Sequence, residues 1–387
     1  MKTNVPVKTA TYQLIGLTCL VALFLLTTAC GPQITQQSAE AGEAVPLRYA
    51  TLLKMQRTAD YTLCEIADPW KAGRILHRYV LVGADKPLPA ALPEGTVVRT
   101  PLQHAVSFTS VHASLAYDLG AADRLIGVCD KDYILRPALR QLLASGRWQD
   151  MGAAHLPSVE RLAAAQPDAL LVSPFENVQY GPISHLGIPL IECADYMETS
   201  PLGRAEWMRF YGLLFGKEAE ADSLFALTEA AYLSLKAQAA ADSLRPTLLA
   251  DQLTAGVWYV PGGRSTTGQL FADAGARYVF ASDTASGSVA RSFEAVYAAG
   301  RHADVWLTKY GAAHDETYAS LRADYAPYAG LRPWRERRVW GCNVSRVAVF
   351  EETPFRPDRL LADLVSILHP TLLPNHRLRY YQPLQEE

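Results

Sequence analysis

Blocks of like charge are missing from this chain. Lys and Arg number 36 against 39 Asp and Glu, a formal net charge of −3, and no run of Lys/Arg offers the basic field that nucleic acid needs. Paired CxxC cysteines are missing too. Of the six cysteines, Cys19 and Cys30 lie near the start, while Cys64, Cys129, Cys193 and Cys342 are widely spaced, a pattern of isolated buried thiols rather than a zinc or redox centre. The nine histidines are dispersed, which speaks against direct capture of a bare metal ion by a His/carboxylate cluster. No GxSxG, P-loop, HExxH or strand-following GxGxxG occurs. An acid pair can be assembled from Asp130, Asp132 and Glu176, but nothing separates it from other surface carboxylates, and an enzymatic reading has no other support.

Long apolar runs are scarce. The run near the start, Leu14–Leu26, is shorter than the roughly 20 residues of a spanning helix. Lys2 and Lys8 precede it and Thr27-Thr28-Ala29-Cys30 follow. A basic start, a short apolar core and small residues mark residues 1–29 as a secretory signal. Residues 30–45 are polar and small and read as a tether. The remainder, in a chain of 387 residues that is 49% hydrophobic and 19% charged, has ordinary globular composition and room for two domains.

The stretch 200–244 organises that remainder. It predicts two consecutive helices, with Gly216 as the cap between them. In the second, Ala221, Leu224, Phe225, Thr228, Tyr232, Leu235 and Ala239 recur at spacings of three and four, an apolar stripe facing a core. Before it, residues 46–98 alternate in short runs broken by Pro87, Pro89 and Pro93, which predicts a small antiparallel sheet packed on the adjoining lobe. Residues 99–199 and 245–387 each alternate short apolar strands with helices. That predicts an α/β protein of two lobes, each an open parallel sheet flanked by helices, joined by one long helix. The lobes share a local phrase: Val159–Ala165 followed by Asp168–Val172 answers to Phe293–Ala299 followed by Asp304–Thr308.

Cys30, after its small residues, resembles the acylated cysteine of a bacterial lipobox, with Thr27 where Leu is usual. Several longer phrases resemble the class III, helical-backbone substrate-binding proteins of ABC importers for ferric siderophores, haem and cobalamin. They are RTPLQHAVSFTSVHASLAYDLGAADRLIGVCD, DMGAAHLPSVERLAAAQPDALLVSP, Leu186-Gly187-Ile188-Pro189, FYGLLFGKEAEADSLF and VWYVPGGRSTTGQLFADAGARYVF. The resemblance runs from about residue 98 to the C-terminus and departs at Arg301-His302-Ala303-Asp304, where Asn-Pro-Asp is more usual. It implies a monomeric lipoprotein of the cell envelope on its periplasmic face, without intrinsic cofactor. Such a protein would carry an iron chelate, haem or a corrinoid to a membrane permease and its ATPase. It also implies an acidic residue on each lobe for the permease, and the repeat offers Glu160 and Glu294.

Open parallel sheets bind ligands beyond the C-terminal ends of their strands. Those positions hold Phe108–His112, Asp130–Tyr133, Phe175–Tyr180 and Asp195–Glu198 in the first lobe, and Trp258–Ser265, Ser286–Arg291 and Lys309–Gly311 in the second. Phe175, Tyr180, Tyr196, Trp258, Tyr259 and Tyr310 are candidates to stack on a large ligand, Arg264, Arg291 and Lys309 to meet its acidic groups, and His112 to ligate. Each aromatic serves equally well as a packing residue. Gly262-Gly263 suits either close approach to a ligand or a plain turn.

Overall fold

The computed structural model describes residues 42–387. The signal segment, Cys30 and nearly all of the tether lie outside the described residues.

The chain enters a five-stranded sheet in the order Glu43–Val45, Leu53–Arg57, Thr62–Ala67, Ile75–Gly83, Thr96–Thr100. Alternation drives it: Thr62, Cys64 and Ile66 turn inward while their neighbours stay partly exposed. Two expectations change here. Glu43–Val45 pairs with Met55–Arg57, so the tether ends before Glu43 rather than at Val45. The last pair is parallel, Tyr79 facing Thr96, not antiparallel. Its proline-bearing connection, residues 84–95, is long enough to carry the chain back to the starting edge, which a tight hairpin is not.

This sheet has no core of its own. Leu53, Met55, Cys64, Ile66 and Tyr79 share one cluster with Leu115, Trp207, Phe210 and Phe215. Buried carboxylates fasten it as well. Glu206 accepts the backbone N–H groups of Arg48, Tyr49 and Ala50 at 2.9, 2.7 and 2.9 Å. Glu198 accepts those of Thr51 and Leu52, each at 2.9 Å, and the Trp207 indole at 2.9 Å.

The first lobe is a parallel sheet ordered Leu190–Glu192, Ala169–Val172, Ala105–Ser107, Leu125–Val128, Gln149–Asp150. The second is ordered Arg277–Tyr278, Thr247–Ala250, Val305–Tyr310, Val339–Asn343, Gln382–Pro383, with only the last pair antiparallel. One expected strand goes elsewhere. Val257–Pro261 lies in a separate antiparallel sheet between Leu253–Thr254 and Ser288–Arg291. Asp251, at φ 60°, stops the preceding lobe strand, and Ala255 and Gly256, at φ 50° and 80°, close a two-residue hairpin.

Gly216 stands in the left-handed region at φ 62°, ψ 38°, between helix Met208–Phe215 and the 24-residue helix Glu218–Ala241. The predicted stripe divides between the lobes. Ala221 and Phe225 are buried in the first-lobe core, Tyr232 and Ala239 in that of the second.

Candidate ligand site between the lobes

A cleft runs between the two lobes, and Phe350 stands in it. On one side is a pocket of about 230 Å³ bounded by Thr109, Ser110, Asp130 and Tyr133 of the first lobe and by Val344 and Val347 of the second. On the other is a second pocket, also about 230 Å³, bounded by Val111 and Arg204 of the first lobe and by Thr266, Thr267, Lys309 and Tyr381 of the second. Phe350 borders both and is 58% exposed, and Tyr133 is 72% exposed. Large rings left open to water at a lobe boundary are suited to cover an apolar ligand surface. A larger pocket, about 390 Å³, lies between the N-terminal sheet and the helices around Arg209 and Glu218, away from the strand ends.

The lobes are tied across the cleft by the short helix Val349–Glu352. Glu351 accepts the backbone N–H groups of Leu135 and Arg136 from the first lobe. Glu352 accepts from Arg379 and Tyr380 at 2.7 and 2.8 Å and lies 3.7 Å from Arg136. Burial works to raise the Glu352 pKa, but the Arg379 and Tyr380 bonds and the arginine charges hold it at about 2. Phe355 then inserts into the first-lobe core, 5.7 Å from the Tyr211 ring.

The sequence candidates divide. Lys309 lines the second pocket, 3.2 Å from Asp251. Phe175, Tyr196 and Tyr259 are 61%, 37% and 49% exposed. Arg264 is exposed, two residues before Thr266, whose hydroxyl donates to the Glu198 carbonyl across the lobe boundary at 2.9 Å. Tyr180 is half-buried and donates to Glu192 at 2.9 Å.

Four candidates are engaged elsewhere. His112 is buried, its Nε2 2.8 Å from Asp195 and its Nδ1 2.7 Å from the Thr109 hydroxyl, so it holds the lobe together rather than facing a ligand. Burial opposes its charge, yet the adjoining Cys193 and Asp195 groups raise its pKa to about 10. Asp195, which burial alone would raise, is held at about 2 by His112 and Arg204. Trp258 is fully buried, donating to the Ala250 carbonyl at 2.9 Å and packing 5.9 Å from Trp306. Tyr310 is 8% exposed, its hydroxyl accepting from the Glu316 N–H at 2.8 Å. Arg291 sits 4.5 Å above the Phe280 ring and pairs with Asp283. Gly262 and Gly263 serve a turn: a Cβ on either would meet the Ala285 or Ala281 carbonyl at 2.2 or 2.3 Å.

Glu160 and Glu294 are exposed and occupy the first turns of Val159–Ala165 and Phe293–Gly300. The serine before each, Ser158 and Ser292, caps its helix. The two lobes therefore present the same local device.

The periplasmic binding protein family model matches residues 106–327. The chain belongs to that family. An uncharacterized lipoprotein of Methanocaldococcus jannaschii is 22% identical to this binding protein over 340 residues, covering 81% of this chain and 78% of its own. A possible iron-binding periplasmic protein of Staphylococcus epidermidis shares the fold at 15% identity and TM-score 0.56, covering 70% of this chain and all (100%) of its own. The molybdate periplasmic binding protein of Haemophilus influenzae matches at 19% identity and 0.56, over 73% and 90%. A periplasmic heme binding protein of Pseudomonas aeruginosa matches at 19% and 0.54, over 73% and 95%. These likenesses establish a substrate-binding protein fold of the ABC transporter type, and the neighbours' cargoes differ. Among the described residues no helix is long and apolar enough to cross a membrane.

Sequence reasoning missed Arg204, Thr266, Thr267, Phe350 and Tyr381. The strand-end rule reaches as far as Lys309 but stops short of the segment after Val339–Asn343, where Phe350 lies. Applied to the strand Val339–Asn343 and carried through the segment after it, the rule reaches Phe350.

Proposed function

We propose that this binding protein captures a ferric chelate of the siderophore type in the interlobe cleft and hands it to the permease of an ABC importer. One observation carries the reading: the exposed Phe350 ring borders the pocket that holds the cationic side chains of Arg204 and Lys309, and on its other side it shares a second pocket with the exposed Tyr133 ring. A ferric siderophore commonly joins an apolar body to negative charge, and that combination needs both a wall and a cation. The protein binds and releases its cargo without turnover, as a monomer with no intrinsic cofactor. Cys30 is its proposed lipid anchor, and Glu160 and Glu294 its proposed permease contacts, one on each lobe.

The test is native mass spectrometry with absorbance spectra of the mature protein offered ferric siderophores, haem and cobalamin. A retained ferric chelate is expected. Tight cobalamin binding without measurable ferric siderophore binding overturns the reading, and a Soret band kept through purification replaces it with haem.

A further inference from the structure

We infer that the pocket between Arg204 and Tyr381 is an oxyanion subsite, built to receive a carboxylate or phosphate group of the ligand. This rests on the interlobe cleft being the ligand site, and it names the chemistry of one end of that site.

Four kinds of donor converge there. Arg204 is held through its Nε, which donates to Asp195 at 3.0 Å, and its two terminal nitrogens have no partner among the described residues. Lys309 contributes an ammonium from the end of its strand. The helix Thr266–Asp273 begins at the pocket with Thr266 and Thr267; the Thr267 hydroxyl has no partner among the described residues, and the first N–H groups of a helix lack intrahelical partners. Tyr381 is only 6% exposed, it lines the pocket, and its hydroxyl makes no hydrogen bond to the described residues and is not closed off from water. A phenol that donates to no protein group keeps its O–H available for an acceptor in the pocket.

Chemistry narrows what arrives. Burial, together with the neighbouring Cys342, Asp251 and Asp363, keeps the Tyr381 phenol far above its ordinary pKa. It therefore serves as an O–H donor and not as a phenolate ligand for iron. Asp195 is shared between Arg204 at 3.0 Å and His112 at 2.8 Å, and it takes up only the Nε of the guanidinium. The terminal nitrogens of Arg204 are left to meet an anion in the pocket, which Lys309, 3.2 Å from Asp251, lines as well. Its volume of about 230 Å³ lies below the range of pockets that enclose a drug-sized ligand, about 300–1,000 Å³. It fits an arm of a ligand, or a small free oxyanion.

The experiment is calorimetric titration of the mature protein and its Tyr381→Phe and Thr267→Val variants. Neither variant removes a hydrogen bond seen among the described residues, so both should fold. The probes are ferric citrate, which carries carboxylates, ferrioxamine B, which does not, and orthophosphate and molybdate alone. The expected result is that ferric citrate binds, and that each variant weakens it about tenfold or more, while any ferrioxamine B binding is unchanged by the variants. Orthophosphate or molybdate binding alone, with the same loss in the variants, also supports the subsite while removing the chelate as cargo. If a chelate binds and neither variant changes its affinity, or if ferrioxamine B binds and ferric citrate does not, the subsite is wrong and the ferric-chelate reading stands. Failure of every probe overturns both.

Discussion

Single buried carboxylates decide much of how this protein holds together, and they do so in opposite ways. Glu206 satisfies three consecutive backbone N–H groups of residues 48–50. Removing it leaves three part-buried donors without their acceptor. Glu206→Ala should therefore cost about 3 kcal/mol or more of stability in urea unfolding, while Glu206→Gln, which keeps one acceptor oxygen, should cost less. Equal losses would mean that the backbone finds other partners. Glu316 is the converse case. Burial raises its pKa to about 7 against the pull of the Gln252 amide, and its Oε2 is buried without a partner among the described residues. The folded state binds this proton more tightly than the unfolded one. Its favourable contribution is thus complete below about 4.5 and lost as the pH rises through about 7. Glu316→Gln should raise the melting temperature at pH 8 and leave it nearly unchanged at pH 4, and a shift of the same size at both pH values would refute the assignment.

At the scale of elements, the joint before the linking helix is the most constrained point. Gly216 has a positive φ, and a Cβ there would also meet the Pro101 Cβ at 2.9 Å. The left-handed conformation alone costs an ordinary residue about 1–2 kcal/mol. Gly216→Ala should destabilise by at least that amount, read as a lower urea midpoint with an unchanged slope. An unaltered midpoint would show that the joint relaxes freely. The linking helix belongs to both lobes, since Phe225 packs in one core and Tyr232 in the other. Helix Val349–Glu352 makes a second tie, with its carboxylates reaching Arg136 of the first lobe.

For the whole molecule, the question is how an importer reads both lobes at once. Glu160 and Glu294 occupy equivalent capped first turns, where a carboxylate also stabilises the helix dipole. Capping and permease docking differ in what charge removal does. If they dock, the Glu160→Gln/Glu294→Gln double variant should keep its fold and ligand affinity but lose transport in a cell-based uptake assay, and charge reversal should be worse. Normal import with only a lowered melting temperature would assign both residues to capping alone.

Local pattern was enough for the parallel lobes and the linking helix. The period of apolar residues and a glycine at a helix end are read within a few neighbouring residues, and the structure bears out both. Partnership was not local. The strand-end rule puts Trp258, Tyr310 and His112 near the ends of strands but does not say whether the neighbour is a ligand or another side chain, and only the tertiary structure buried all three within the protein. The strand Val257–Pro261 left its expected sheet because a left-handed Asp251 and a two-residue hairpin outweighed its apolar pattern. The cleft itself draws Arg204, Thr266, Lys309, Phe350 and Tyr381 from segments scattered over the second half of the chain. No window of the sequence contains them together, because what brings them within reach is the packing of one lobe against the other.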